Sequence, residues 1–145
     1  MNGTVNTAVN VTLTVTTDAK GALKYTWSGN NVDANGNLDL SKITTPIVIT
    51  ITISTSLQLS FYSPPSQAVW IGFQSSGPPT GPYVGAEFTT AANVNSATST
   101  LQWTDQNNDG KTYAYILVLW LVNAANPRGI QVKVDPRIIN RGTSG

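Results

Sequence analysis

The amino-acid sequence predicts an all-β fold, an antiparallel β-sandwich of about seven to nine strands with immunoglobulin-like or jelly-roll connectivity. Apolar and polar residues alternate along most of the chain, turn-forming residues recur at intervals of about ten, and no segment shows helical spacing of apolar residues. An up-and-down or jelly-roll barrel is the alternative architecture. We expect residues 1–140 to form a single domain, followed by a flexible tail at residues 141–145.

Strand patterns fill the first half of the chain. Residues 5–15 alternate Val and Leu with Asn and Thr, and residues 23–27 resume the alternation after a turn, which predicts a hairpin. Residues 28–37 are rich in Gly, Asn and Asp and are expected to form a loop. Residues 47–54 alternate Ile with Val, Thr and Ser, and residues 57–62 repeat the pattern, which predicts two further strands.

Short strands and long turns are expected in the second half. The strands are predicted at residues 69–73, 99–104 and 130–134, whereas the Pro- and Gly-rich residues 74–86 are expected to be irregular. Residues 112–122 are apolar at nearly every position. Apolar residues on both faces are typical of a strand in the middle of a sheet that is covered from both sides, and we predict this position for the segment.

Apolar residues that share one face of a predicted strand are the candidates for the hydrophobic core. Trp27, Trp103 and Trp120 lie at strand positions compatible with a core, and we expect all three to fill it. Apart from Trp120, the core candidates are Val11, Leu13, Trp27, Ile49, Ile51, Leu59, Ile71, Trp103, Tyr115, Leu117, Leu119 and Val132.

The charge composition narrows the classes of function. The chain has no cysteine and no histidine, and its 8 Lys and Arg oppose 7 Asp and Glu, which gives a net charge of +1. These counts exclude a disulfide framework and any nucleophile or metal site built on Cys or His. So small a net charge predicts no nucleic-acid partner, because phosphate binding needs clustered Lys and Arg.

No transmembrane segment and no targeting segment is predicted. The longest apolar run, residues 113–122, is much shorter than the roughly 20 residues that a transmembrane helix needs. The N-terminal residues show neither the basic nor the apolar region of a signal peptide, so a cytoplasmic location is the default expectation.

The carboxylates show no catalytic pattern. Glu87 is the only glutamate, and the aspartates lie in or next to turn-like segments, where Asp forms hydrogen bonds with the local backbone. A glycosidase needs two carboxylates, one of them in an apolar cleft, and no such pair is visible. We therefore predict no catalytic residue and expect the protein not to be an enzyme. A carboxylate-dependent hydrolase is the remaining catalytic alternative.

The most specific local motif is a row of alternating oxygen-bearing side chains. Asp105, Asn107 and Asp109 have the spacing of the first ligands in a calcium-binding loop. Gly110 follows them, where such a loop turns tightly, but Ile116 occupies the position of the bidentate Glu. Two interpretations stay open, an open and weak calcium site or a hairpin turn without metal, and we favour the turn. No other cofactor is expected.

Three aromatic residues are candidates for a ligand-binding platform. Tyr83 lies in the Pro- and Gly-rich loop, where a constrained backbone would hold its ring at the surface. Tyr62 and Trp70 are near it in sequence, and the three rings together would stack on a sugar or a peptide. The alternative, which we favour, is that Tyr83 only covers one end of the sandwich. The sequence does not show whether the three residues share a surface.

Short, uncharged polar residues are expected on the strand surfaces. The chain contains 20 Thr, 12 Ser and 14 Asn, many of them at positions that alternate with apolar residues. Neutral faces suit contacts between identical subunits or with sugar hydroxyls, whereas monomers usually carry more surface charge. We therefore expect a non-catalytic structural or self-associating module. The first alternative is a carbohydrate-binding module or lectin, so the expected partner is another copy or a neutral glycan.

Overall fold

The computed structural model describes residues 7–62, 68–73, 79, 88, 90–95, 99–107, 110, 112–134 and 137–139. These residues contain no helix, and their strands form two sheets instead of one closed barrel. The all-β prediction is therefore confirmed. In chain order the strands are β1 (Thr7–Thr17), β2 (Leu23–Gly29), β3 (Leu38–Asp39), β4 (Ile47–Ser54), β5 (Gln58–Phe61), β6 (Val69–Phe73), β7 (Thr90–Asn95), β8 (Thr100–Asp105), β9 (Thr112–Val122), β10 (Ile130–Val134) and β11 (Arg137–Ile139).

The first sheet has the strand order β2-β1-β4-β8-β7. The strands β1 and β2 form the predicted hairpin, in which Leu13 lies opposite Trp27. On its other side β1 pairs with β4 in parallel, with Val11 opposite Ile51. A parallel partner cannot be reached by a tight turn, so the chain passes through β2 and β3 before β4 returns beside β1.

The second sheet is built around β9, which has neighbours along both edges. The strands β5 and β6 follow one another along one edge, and β10 and β11 follow one another along the other. The short strand β3 pairs in parallel with β11. The central position predicted for residues 112–122 is therefore confirmed. The described strands number eleven, more than predicted, because each edge of β9 is occupied by two short strands in succession.

One hydrophobic core lies between the two sheets. Alternate residues of β1, β4 and β8 face it from the first sheet, and alternate residues of β5, β6 and β9 face it from the second. Trp103 of β8 and Tyr115 of β9 meet across it, with ring centroids 5.9 Å apart. The core candidates other than Trp120 are buried as predicted, except that Val132 is half-buried against the core.

Trp120 does not lie in the core, so the prediction that it fills the core is wrong. The odd-numbered residues of β9 face the core, and Trp120 therefore points to the outer face of the second sheet, where it is half-buried. Because β9 is apolar on both faces, its sequence does not reveal which residues face inward.

Tyr115 attaches the loop before β3 to the core. Its hydroxyl donates a hydrogen bond of 2.9 Å to the backbone carbonyl of Gly36. Burial, with a smaller contribution from the negative charge of Asp33, raises the pKa of the Tyr115 hydroxyl well above its usual value. The phenol therefore stays protonated at neutral pH and can serve as the donor in this buried contact.

Candidate functional site

The outer face of the second sheet carries a cluster of aromatic side chains. The outward-facing residues of β9 include Ile116, Val118 and Trp120. Trp70 on β6 lies opposite Ile116. Lys133 on β10 lies opposite Val118. Because directly opposite residues of antiparallel strands project from the same face, Trp70 and Lys133 also stand on the outer face.

Tyr62 joins this cluster just after β5. Its backbone N–H donates a hydrogen bond of 2.9 Å to the carbonyl of Val118. Its ring centroid lies 5.6 Å from that of Trp120, with the two ring planes tilted by 42°. The Lys133 ammonium lies 4.6 Å from the ring centroid of Trp70, which is within the range of a cation–π interaction. We call Tyr62, Trp70, Trp120 and Lys133 the aromatic face.

The aromatic face lies over an apolar floor. Ile116 and Val118 are only 6% and 0% exposed, although they point away from the core between the sheets. Trp70 and Trp120 lie beside these residues on the same face. The second sheet thus has a small apolar layer on its outer side in addition to the core on its inner side.

Two of the three residues predicted to form a platform share this face, namely Tyr62 and Trp70. Tyr83 lies outside the described residues. Pro79, in the same loop, lies above the outer face at Gly72, where a Cβ added to the glycine would be 3.4 Å from the Cβ of Pro79. The third ring of the face is Trp120, which sequence reasoning placed in the core.

The tryptophans of the aromatic face are partly covered. Lys133 lies over the Trp70 ring. Gly129 packs so closely on Trp120 that an added Cβ would be 2.1 Å from its indole Nε1. The indole Nε1 of Trp70 is buried and has no hydrogen-bond partner in the described part of the chain. Because stacking on a sugar requires an exposed ring face, a ligand that stacks on the covered side of Trp70 has to displace Lys133.

The outer face of the first sheet has a different chemistry. Short polar residues lie in register across its five strands, one from each. Thr12 is opposite both Ser28 and Thr52. Thr100 in turn is opposite both Thr52 and Asn95. One continuous row of hydroxyl and amide groups therefore crosses the sheet.

The outward positions of the three middle strands of this sheet carry no charged residue. In β1, β4 and β8 they are Ala8, Asn10, Thr12, Thr14, Thr16, Val48, Thr50, Thr52, Ser54, Thr100, Gln102 and Thr104, which we call the hydroxyl face. Within it the Gln102 amide donates a hydrogen bond of 3.1 Å to the Thr50 hydroxyl. These residues are exposed or half-buried, so they present a neutral polar surface.

The proposed calcium motif lies at the end of β8. Asp105 and Asn107 are both 0% exposed. The backbone N–H of Asn107 donates a hydrogen bond of 2.8 Å to Oδ1 of Asp105. The Asn107 amide donates to the carbonyls of Ile43 at 2.8 Å and Thr45 at 3.3 Å. These bonds attach the turn to the segment before β4, and Asp109, the third predicted ligand, lies outside the described residues.

Of the two acidic residues in this motif, the structure describes Asp105 alone. Among the residues that the structure describes, no three His, Cys, Asp or Glu side chains are grouped so that they could hold a metal ion. Asn107 has a φ of 57°, a left-handed conformation that Asn tolerates better than most residues and that is common in turns. The calcium site stays a prediction, and the described bonds are those of a turn.

The other described aspartates also serve turns, as the sequence predicts. Asp18 accepts two backbone hydrogen bonds from the turn that follows it, and Asp33 does the same in its loop. The Ser41 hydroxyl and backbone N–H donate to Asp39 and lower the pKa of its carboxyl. Outside the described residues lie Glu87, Asp109 and Asp135.

Relationships to known proteins give no further guide to the function. No family model matches the chain, and none of the curated proteins compared with it does. Within the described ranges there is no helix of the length and hydrophobicity needed to cross a membrane. Function must be inferred from the two outer faces and from the edges of the sheets.

Proposed function

We propose that this protein is a non-catalytic structural module that associates with further copies of itself. The observation that carries the proposal is the scarcity of charge on the strand surfaces. The hydroxyl face has no charged residue, and the net charge of the whole chain is only +1. A surface of this kind provides little of the repulsion that keeps monomers apart, and net charges near zero promote association.

The described aspartates support a non-catalytic role. Asp18, Asp33, Asp39 and Asp105 each accept hydrogen bonds from the backbone of their own turn. A carboxylate used to cap a turn is not available as a paired acid and base on either side of a substrate. The carboxylate-dependent hydrolase therefore remains the less favoured proposal.

We also propose immunoglobulin-like connectivity, in preference to a jelly roll. In an immunoglobulin domain, strands B, E and D are neighbours in one sheet and strands C, F and G in the other. The neighbours β4-β8-β7 correspond to the first set, and β5 and β6, β9, and β10 with β11 correspond to the second. The β1-β2 hairpin is then an addition beside β4.

Size-exclusion chromatography coupled to light scattering tests the proposed self-association. The molar mass should rise above the 15.4 kDa of one chain as the loaded concentration increases. High salt should not dissociate the assembly, because contacts between neutral surfaces are not weakened by screening. A molar mass of one chain at every concentration would overturn the proposal.

A second candidate function is the binding of a neutral glycan at the aromatic face. The observation that favours it is that Tyr62, Trp70 and Trp120 stand on one side of one sheet. Rings at a surface can stack on the apolar side of a sugar. The partly covered rings make this candidate weaker than self-association.

A glycan array, probed with and without calcium, tests this candidate. Binding should be lost in the Trp70→Ala variant and kept in Thr14→Ala, a control on the opposite sheet. A requirement for calcium would connect binding to Asp105 and Asn107. An array without signal in both conditions excludes neutral glycans of the kinds displayed.

A further inference from the structure

Within the described part of the chain, the strand β10 forms an open edge of the second sheet. It pairs with β9 along one side, with Val132 opposite Leu119. Among the described residues no strand pairs with its other side. An open edge presents unpaired backbone N–H and C=O groups, which can accept a strand of another molecule.

The usual protection of an open edge is weak at β10. Proteins guard such edges with charged side chains, above all Lys, and the only charged residue of β10 is Lys133. Its ammonium lies over Trp70 of β6. The strands β6 and β10 lie on opposite sides of β9, so Lys133 reaches back across the sheet and away from the open edge. Ile130, at the start of the strand, is 40% exposed.

We propose that a second copy of this chain pairs with β10 in antiparallel orientation, about a two-fold axis at Val132. This inference rests on the proposed self-association and locates it. Val132 is the middle residue of β10, so an axis perpendicular to the sheet at this position pairs every residue of the strand with the copy. The two second sheets then join into one, with their aromatic faces on the same side.

The side chains of β10 are complementary to themselves in this register. Ile130 lies opposite Val134 of the copy, so apolar groups meet on the inner side. Gln131 lies opposite Lys133 of the copy, so a neutral amide meets the alkyl stem of a lysine whose ammonium lies over Trp70 of its own chain. An axis at Lys133 would instead place two lysines directly opposite each other, which is unfavourable. An axis at Gln131 would leave Val134 without a partner in the strand.

Cysteine cross-linking tests the position of the axis. The chain has no native cysteine, so the Val132→Cys variant has one thiol per copy. Residues directly opposite in an antiparallel pair have Cα atoms about 4.5–5.5 Å apart, within the range of about 4.4–6.8 Å that a disulfide spans. Mild oxidation, or a short thiol-specific cross-linker, should convert this variant into a covalent dimer. The matched control Lys24→Cys, at an exposed position of β2, should stay largely uncross-linked.

Charge substitution at Gln131 provides a second test without cross-linking. Gln131 is exposed, so its variants should fold like the parent protein, which thermal melts at low concentration can check. Gln131→Lys places a cation opposite Lys133 of the copy at both symmetric positions and should weaken the dimer about two- to thirtyfold. Gln131→Glu places a carboxylate there, which attracts the Lys133 ammonium of the copy from Trp70 into an ion pair, and should strengthen the dimer.

The outcomes separate this inference from the function it rests on. Efficient cross-linking at residue 132, with opposite effects of the two Gln131 variants, supports the inference. An oligomer that does not cross-link at residue 132 and does not respond to charge at residue 131 overturns the inference and leaves self-association in place. A wild-type protein that stays monomeric at all concentrations overturns both.

Discussion

The outer faces of the two sheets are built in opposite ways. The aromatic face has large rings that stand beside a buried apolar floor formed by Ile116 and Val118. The hydroxyl face has short Thr, Ser and Asn side chains in register, with no charged residue on its three middle strands. The second sheet is thus apolar on both sides of β9, whereas the first sheet is apolar only toward the core.

The two faces should therefore differ in how much they contribute to the stability of the fold. Half-buried rings remove apolar surface from water, so the aromatic face should contribute to the free energy of unfolding. Short polar side chains on a solvated sheet contribute little, and substitutions there should change stability by less than about 1 kcal/mol.

Truncating one residue in the core, one on the aromatic face and one on the hydroxyl face should show how much each part contributes to stability. Trp103→Ala removes a core ring that is 2% exposed and should cost about 3–5 kcal/mol. Trp120→Ala, on the half-buried aromatic face, should cost about half as much. Thr52→Ala, on the hydroxyl face, should cost less than about 1 kcal/mol. Urea denaturation measures all three, and equal costs for Trp120→Ala and Thr52→Ala would contradict the contrast.

A glycine beside Trp120 should reveal how tightly the aromatic face is packed. Gly129 has a φ of +88°, and an added Cβ would be 2.1 Å from the indole. Gly21 has a similar φ of +83°, but nothing lies within 4 Å of an added Cβ. Both Gly→Ala variants place a side chain on a backbone with left-handed φ, which costs about 1–2 kcal/mol of stability. Gly129→Ala also overpacks against Trp120 and should lose about 1–3 kcal/mol more. Thermal unfolding of the pair gives the difference, and equal midpoints would show that Trp120 moves aside freely.

The stability of the first sheet should depend more on the buried turn after β8, which contains Asn107, than on the hydroxyl face. Asn107→Ala leaves the carbonyls of Ile43 and Thr45 without their donor and should destabilise the protein by about 2–3 kcal/mol. Asn107→Gly keeps the positive φ without strain, so it isolates the loss of the side-chain hydrogen bonds. Melting with calcium and with chelator should give the same midpoint. A clear increase with calcium would instead support the metal site at Asp105.

The stability of the protein should decrease at alkaline pH because of Tyr115, which lies in the core between the two sheets. The pKa of Tyr115 is raised above 10.0 in the folded state, so the unfolded chain loses this proton first as the pH rises. The stability held by the neutral phenol is therefore present below pH 10.0 and is lost progressively above it. Tyr115→Phe should cost about 1–2 kcal/mol at neutral pH by removing the bond to Gly36, and it should flatten the alkaline decline. An unchanged alkaline slope would exclude Tyr115 as its source.

The smallest change in the free energy of unfolding should come from removing the cation of Lys133 from the aromatic face. Lys133→Met removes the charge over Trp70 but keeps an apolar stem, and it should cost about 0.5–1 kcal/mol. Lys24→Met, at an exposed position of the first sheet, is the matched control and should be nearly neutral. Chemical denaturation compares the two variants. Equal values would mean that the contact with Trp70 does not stabilise the fold.

Local alternation is sufficient to predict most of the strands but not their neighbours. The pattern of Ile47–Ser54 fixes which side chains face inward, because only one face of that strand is uniformly apolar. It contains nothing that indicates a parallel partner such as β1, since that pairing joins segments distant in sequence. In β9 both faces are apolar, so the orientation of Trp120 could not be read from the sequence.

The candidate site was only partly predictable for the same reason. Tyr62 and Trp70 belong to different strand regions and stand on one face only because β5 and β6 both pair with β9. The hydroxyl face was predictable in composition, since Thr and Ser alternate with apolar residues in β1 and β4. Its continuity across the sheet depends on a register that the local sequence does not contain.

Sedimentation equilibrium over a wide range of protein concentrations is the direct test of whether a fold with so little charge on its strand surfaces associates with itself. We predict a mass that rises with concentration toward at least twice the 15.4 kDa of one chain, at both low and high salt. A mass that stays at 15.4 kDa up to the limit of solubility would contradict it.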